Sequence, residues 1–215
     1  MFTHRIRMAT RLDEGGLVRQ RPTQPFHSQP KEFCLTQPAT PFASDIALQS
    51  GPPFTGNLRQ IATGEWTGWY QWAGIDPFEE ATGPFYVARE RRGFGNTGGI
   101  GNAGGIGNAG GIITGFRPSP RNCNGHGMIH GGALMTFADF SLFMLGASQG
   151  DEVNGVTVTM NSEFLAPAQA GQLLIGRGER TGGGRSLIIA RGMITANDRP
   201  VLNFSGVIKQ FKKGA

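Results

Sequence analysis

Residues 132–148, GALMTFADFSLFMLGAS, carry a single charged side chain among 17 positions. Leu134, Phe137, Ala138, Ser141, Leu142 and Leu145 recur at helical spacing, and Met135, Phe140, Phe143 and Met144 make most of the remaining circumference apolar. A helix that is hydrophobic nearly all round has to be enclosed by other elements. The C-terminal third of the chain can do the enclosing. VTVTMNSEFL alternates, QLLIGRGER ends at Gly182-Gly183-Gly184, RSLIIARGMIT stops at Asn197-Asp198, and PVLNFSGVIKQF ends near the last residue. Upstream, Asp76 and Pro77 suit the start of a short helix, PFEEAT, that stops at Gly83-Pro84 before the strand FYVARE, and IITGF has strand character. This order reads as an α+β fold, an antiparallel sheet wrapped around one long central helix.

The rest of the chain is of a different kind. Gly and Pro supply 35 and 13 of the 215 residues, well above ordinary usage. Residues 1–64 are rich in Pro, Gln, Ser and Thr without a sustained period, and are expected to form a disordered extension. Residues 95–112 repeat a hexad three times, GNTGGI-GNAGGI-GNAGGI, which reads as a flexible insertion into a domain spanning 65–215. Gly93-Phe94-Gly95-Asn96-Thr97-Gly98 spells a dinucleotide fingerprint, but more glycine follows where a helix would have to open, so that reading fails.

Charge and cysteine usage remove further classes. The net charge of +5 sits mainly in residues 170–215, where eight basic residues face two acidic ones along apparent strands. No basic helix or aromatic platform accompanies them, so neither nucleic acid nor a membrane is an expected partner. No apolar run approaches the length of a spanning helix. Cys34 and Cys123 form no CxxC pair, which argues against a zinc site or a disulfide framework and fits a reducing, cytoplasmic setting without metal or cofactor. Arg5, Arg7 and Arg11 faintly suggest a targeting segment, against which Asp13 and Glu14 weigh.

Two features resist a purely structural reading. Asp139 lies inside the apolar helix with no Arg or Lys within a turn, and an uncompensated carboxylate there costs several kcal/mol. It is either satisfied across an interface, held for chemistry, or placed on a solvated stripe. Gly131 and Gly132 stand at the helix entrance, where unpaired amides and the positive dipole end suit a developing oxyanion. Close packing of the helix on the sheet is the competing explanation.

Asn124-x-x-Gly127-x-x-His130-Gly131-Gly132, with an acid eight residues after Gly131, resembles the hot-dog-fold acyl-CoA thioesterases of the phenylacetate-pathway (PaaI-like) branch, within the 4-hydroxybenzoyl-CoA thioesterase superfamily. The likeness extends through GVTVTMNSEFLAPAQAG, GRSLIIARG and RPVLNFSGVIK; without the extension and the repeat, 133 residues remain, enough for one such domain. The resemblance implies hydrolysis of an acyl-CoA thioester to free acid and CoA. It implies Asp139 as general base or nucleophile, the Gly131 N–H as oxyanion donor, Asn124 placing water or carbonyl, and Thr157 beside the acid. His130 shapes the loop and, with Gly132, borders the substrate; Cys123 and His126 are bystanders. Phe137, Phe140 and Met144 are expected to line an acyl pocket, and Arg180, Arg185 and Lys209 are candidates for the CoA phosphates.

Gly131 and Asp139 are about 12 Å apart along one helix. Both cannot reach one thioester carbon from a single chain, so an obligate homodimer, or a tetramer built from it, is expected. Two alternatives stay within the fold, a non-catalytic acyl-CoA-binding module and an enoyl-CoA hydratase; a third makes the glycine-rich repeat itself an interaction element.

Overall fold

The computed structural model describes residues 41–74, 76–91, 111–147 and 150–211. Of the expected extension, residues 1–40 lie outside this set, and so does the repeat up to Gly110. The order of elements is β1 (Leu58–Gln60), β2 (Tyr70–Trp72), α1 (Pro77–Thr82), β3 (Phe85–Arg89), β4 (Ile112–Phe116), α2 (Gly131–Gly146), β5 (Gly155–Phe164), β6 (Leu174–Gly183), β7 (Leu187–Ala196) and β8 (Arg199–Gln210). All eight strands form one antiparallel sheet in the order β1-β2-β3-β4-β6-β7-β8-β5. The β7–β8 turn places Asn197 and Asp198 at positive φ, 47° and 63°, as a tight hairpin connection between right-twisted strands requires.

The fold is the hot-dog arrangement. α2 lies against β3, β4, β6, β7, β8 and β5. Phe137, Ala138, Leu142 and Leu145 of α2 join Phe85, Phe116, Leu174, Ile188, Ile194, Leu202 and Ile208 of the strands in one buried cluster. Within it Thr114 and Ser141, both fully buried, share a hydrogen bond of 2.7 Å, and Ser141 Oγ donates to the Phe137 carbonyl at 2.7 Å. Gly176 makes room for this pair, since a Cβ there would lie 2.3 Å from Thr114 Oγ1.

Residues 41–64 correct the expected boundary of the extension. They do not hang outside the domain. β1 pairs with β2, and a short 3-10 turn, Ala43–Asp45, anchors the segment. Ala43, Trp66 and Trp69 pack with Ala88, Ile113 and Ile175 on the face of the sheet opposite α2. Arg117 of the stretch after β4 pairs with Glu65 and donates to the Pro41 carbonyl at 2.9 Å, tying the segment down. β4 is therefore buried along its whole length, with one face under α2 and the other under the tryptophans. Gly115 has to be glycine for this, because a Cβ would meet the Trp66 ring at 2.3 Å.

Candidate active site

The chain before α2 is folded around Asn124. Its Oδ1 accepts from the amides of His126 (2.9 Å) and Met128 (3.3 Å), its N–H donates to the Met128 carbonyl, and its carbonyl accepts from Gly127. Gly127 sits at φ 75°, a conformation that favours glycine and closes the turn. Nδ2 of Asn124 has no protein partner among the described residues.

His130 is the N-cap of α2, and its Nδ1 accepts from the Gly132 amide at 2.9 Å. Gly132 permits that approach, since a Cβ would already be 3.0 Å from Nδ1. The amides of Ala133 and Leu134 both donate to the His130 carbonyl. Of the first four helix amides, only that of Gly131 lacks an acceptor among the described residues. A Cβ on Gly131 would meet the tip of the exposed Phe164 ring at 3.3 Å, not the sheet backbone. The helix entrance thus presents one free N–H at the positive end of α2.

α2 turns its buried residues to the sheet and leaves Gly132, Thr136, Asp139 and Phe143 on a less enclosed stripe at helical spacing. Asp139 is half-buried there. Its Oδ1 accepts from Thr157 Oγ1 at 2.6 Å. The pairing of β5 with β8 shifts register between Thr157 and Thr159, an irregularity of the kind that redirects a side chain beside a site. Burial raises the Asp139 carboxyl above its ordinary range; the Thr157 hydrogen bond pulls the other way, and the charge of Asp76 adds to the rise.

A second carboxyl, Glu79 of α1, faces the same place and was not among the residues singled out from sequence. Its pKa is pushed up to about 7 by burial, with the charges of Asp76 and Asp139 adding to the shift. The sequence did show the short helix PFEEAT, but not which of its faces turns inward.

The expected acyl-pocket residues are placed differently. Phe137, Phe140 and Met144 are buried in the core, with the rings of Phe137 and Phe140 5.4 and 5.3 Å from that of Phe85. A helix apolar on all sides does not reveal which face meets the sheet, and these residues meet it.

The model of the thioesterase superfamily matches residues 126–202, from the Asn124 turn through α2 and into β8. Over these residues the chain is similar to the thioesterase superfamily. None of the curated proteins compared with it matches. Among solved structures, a hypothetical thioesterase from Streptococcus pneumoniae TIGR4 determined with coenzyme A is similar at 22% identity and TM-score 0.44, covering 48% of this chain and 83% of that one. The E. coli PaaI protein from the phenylacetic acid degradation operon has 22% identity and TM-score 0.44, with 50% and 79% coverage. The TT0310 protein of Thermus thermophilus has 20% identity and TM-score 0.48, with 64% and 100% coverage.

The three basic candidates do not share one face of the sheet. Arg180 is in register with buried Ala190, on the α2 side of the sheet, and lines a cavity of about 240 Å³ with Gly146 at the far end of the helix. That cavity also contains Asp151 and Glu152. Arg185 is exposed in the β6–β7 turn, and Lys209, next to core residue Ile208, is exposed on the opposite face. Among the described residues no three His, Cys, Asp or Glu side chains converge to hold a metal ion. No helix among them is long and apolar enough to cross a membrane.

Proposed function

We propose that the protein hydrolyses acyl-CoA thioesters to a free acid and CoA, with Asp139 as general base and the Gly131 amide as oxyanion donor. The observation that carries this reading is the half-buried Asp139 carboxylate, held at 2.6 Å by Thr157 on the less enclosed stripe of a helix whose entrance has one free amide among the described residues. Burial makes Asp139 a stronger base than an exposed aspartate, and Thr157 fixes which oxygen remains open. Asp139 takes a proton from water as the water oxygen bonds to the thioester carbon. The Gly131 N–H receives the negative oxygen, and Asn124 Nδ2 is the remaining donor beside it. When the C–S bond breaks, its electron pair leaves on sulfur, which takes the proton from Asp139 and restores the carboxylate. His130 fixes the donor by capping α2.

The site is completed by two copies of the chain. Gly131 and Asn124 of one subunit face Asp139 and Thr157 of its partner, with the α2 helices antiparallel across the stripe. Two observations support this: the helical separation of Gly131 from Asp139, and the position of β5 as a free sheet edge with Val156 and Val158 exposed. The test is thiol release from a panel of acyl-CoAs by the full chain and by Asp139→Asn. Turnover in the parent and a loss of at least about 100-fold in the variant, with acyl-CoA still bound, is the expected result. Binding without turnover in the parent makes the protein an acyl-CoA-binding module. Consumption of an enoyl-CoA without thiol release makes it a hydratase.

A further inference from the structure

α1 is oriented against its own hydrophobicity. Its inward positions are Glu79 and Thr82, while Phe78 is 68% exposed and Pro77, Glu80 and Ala81 are also open. Burial alone would turn Phe78 in and Glu79 out, and such a reversal of the local rule marks a position kept for another reason. The helix is held in this orientation at both ends. Asp76 Oδ1 accepts from the amides of Phe78 (3.1 Å) and Glu79 (3.0 Å). At the other end Asn122 Nδ2 donates to the Thr82 carbonyl at 2.8 Å and Arg121 donates to the Gly83 carbonyl. Asn122 and Arg121 belong to the turn that leads directly into Asn124, so α1 is coupled to the loop of the site. α1 packs on α2, whose sole ionisable side chain is Asp139.

We propose that Glu79 is a positioning residue of this site, a carboxyl that holds a proton beside Asp139 so that Asp139 alone is ionised when the thioester binds. This rests on the thioesterase reading. The charged groups around it are Asp76 at the start of α1, Asp139 on α2 and Arg121 from the preceding turn, with Glu80 exposed on the same helix; the guanidinium of Arg121 is turned to the Gly83 carbonyl. Two neighbouring carboxyls cannot both ionise freely, and they lose their protons as a pair. Thr157 donates to Asp139, which favours the charge there, and no such donor is found for Glu79 among the described residues. The proton therefore resides on Glu79. Glu79 is neither consumed nor regenerated in the reaction. Once ionised, it places a second negative charge beside Asp139, which then releases its proton to sulfur less readily.

Glu79→Gln freezes the neutral state, and the test is the pH profile of kcat/KM for the full chain and this variant. The parent loses activity above about pH 7, where Glu79 ionises, and the variant does not. The variant-to-parent ratio is thus expected to be about tenfold or more higher at pH 8.5 than at pH 6. A ratio constant across pH, as a merely structural role would give, overturns the proposal. Carboxyl carbon NMR on the same proteins decides the pairing without turnover. One glutamate resonance titrating near neutrality is expected to vanish in Glu79→Gln and to move to lower pH in Asp139→Asn. An ordinary glutamate titration in the parent, or no response to Asp139→Asn, overturns it. A parent that hydrolyses no acyl-CoA removes the thioesterase reading and leaves the NMR result to judge the pair.

Discussion

Replacing Glu79 by glutamine is expected to stabilise the protein at alkaline pH and to do little in acid. Folding raises this carboxyl from 4.5 to about 7, so the folded state binds more protons than the unfolded state between those values. Below the window both states are protonated and no penalty exists. Stability is lost as pH rises through the window, and above about 7 the full penalty of a charged Glu79 is present. At about 1.4 kcal/mol per pH unit the unscreened cost is about 3 kcal/mol; for a half-buried side chain, solvent screening brings it to ~1–2 kcal/mol. For a domain of this size that corresponds to ~3–6 °C in melting temperature. Thermal unfolding followed by circular dichroism at pH 5 and pH 8 reads the effect as a difference between variant and parent, so that other titrating groups cancel. A variant melting higher at pH 8 and close to the parent at pH 5 is the expected pattern. An offset equal at both pH values would refute the reasoning, because it would mean that Glu79 carries the same charge relative to the unfolded chain throughout.

Thr157→Val removes the donor that favours ionised Asp139, so the Asp139 carboxyl rises further and the acidic limb of kcat/KM moves to higher pH; an unmoved limb would show that Thr157 does not act on Asp139. Mixing inactive Asp139→Asn and Asn124→Ala chains should restore up to about a quarter of parent turnover, since half of randomly formed dimers carry one intact site, whereas a site contained in one chain gives no recovery. Thr114→Val removes one of the two hydrogen bonds of Ser141 Oγ, leaving the Phe137 carbonyl as its partner, and should cost about 1 kcal/mol in chemical denaturation, less in a Ser141→Ala background. Gly115→Ala drives a methyl into the Trp66 ring and should cost about 1–3 kcal/mol, which tests whether residues 41–69 cover the sheet in solution.

The elements with a clear period were legible from the residues alone. α1, α2 and the four C-terminal strands occur where capping residues, apolar spacing and glycine or Asn-Asp turns place them. β1 and β2 were not legible, for a physical reason. Each is three residues long, too short to display alternation, and the apolar residues nearby act as a cover. Trp66 and Trp69 stand edge to face at 5.1 Å, and Trp66 stacks on Tyr86 at 4.0 Å, a contact across 20 positions that leaves no local pattern. The proline-rich composition of the segment hides that Ala43 and Phe54 pack into the core.

The site divides along a similar line. Asp139 was legible because it violates the pattern around it, and Gly131 because two glycines at a helix start need a reason. In the structure the two glycines have different neighbours: Gly132 admits the His130 ring that caps the helix, and Gly131 lies against the tip of the Phe164 ring. Glu79 was not legible because a glutamate on a short polar helix violates nothing until the face it occupies is known. The orientation of α1 is set by Asp76, Asn122 and Arg121, all through backbone atoms, so no side-chain pattern of α1 itself reports it. A carboxyl is turned inward at tolerable cost while it stays neutral; burial favours that state for Glu79, and the charges of Asp76 and Asp139 add to it. In the proposed pair the asymmetry comes from outside the two acids: Thr157 donates to Asp139 and has no counterpart at Glu79 among the described residues, so the charge is favoured on Asp139.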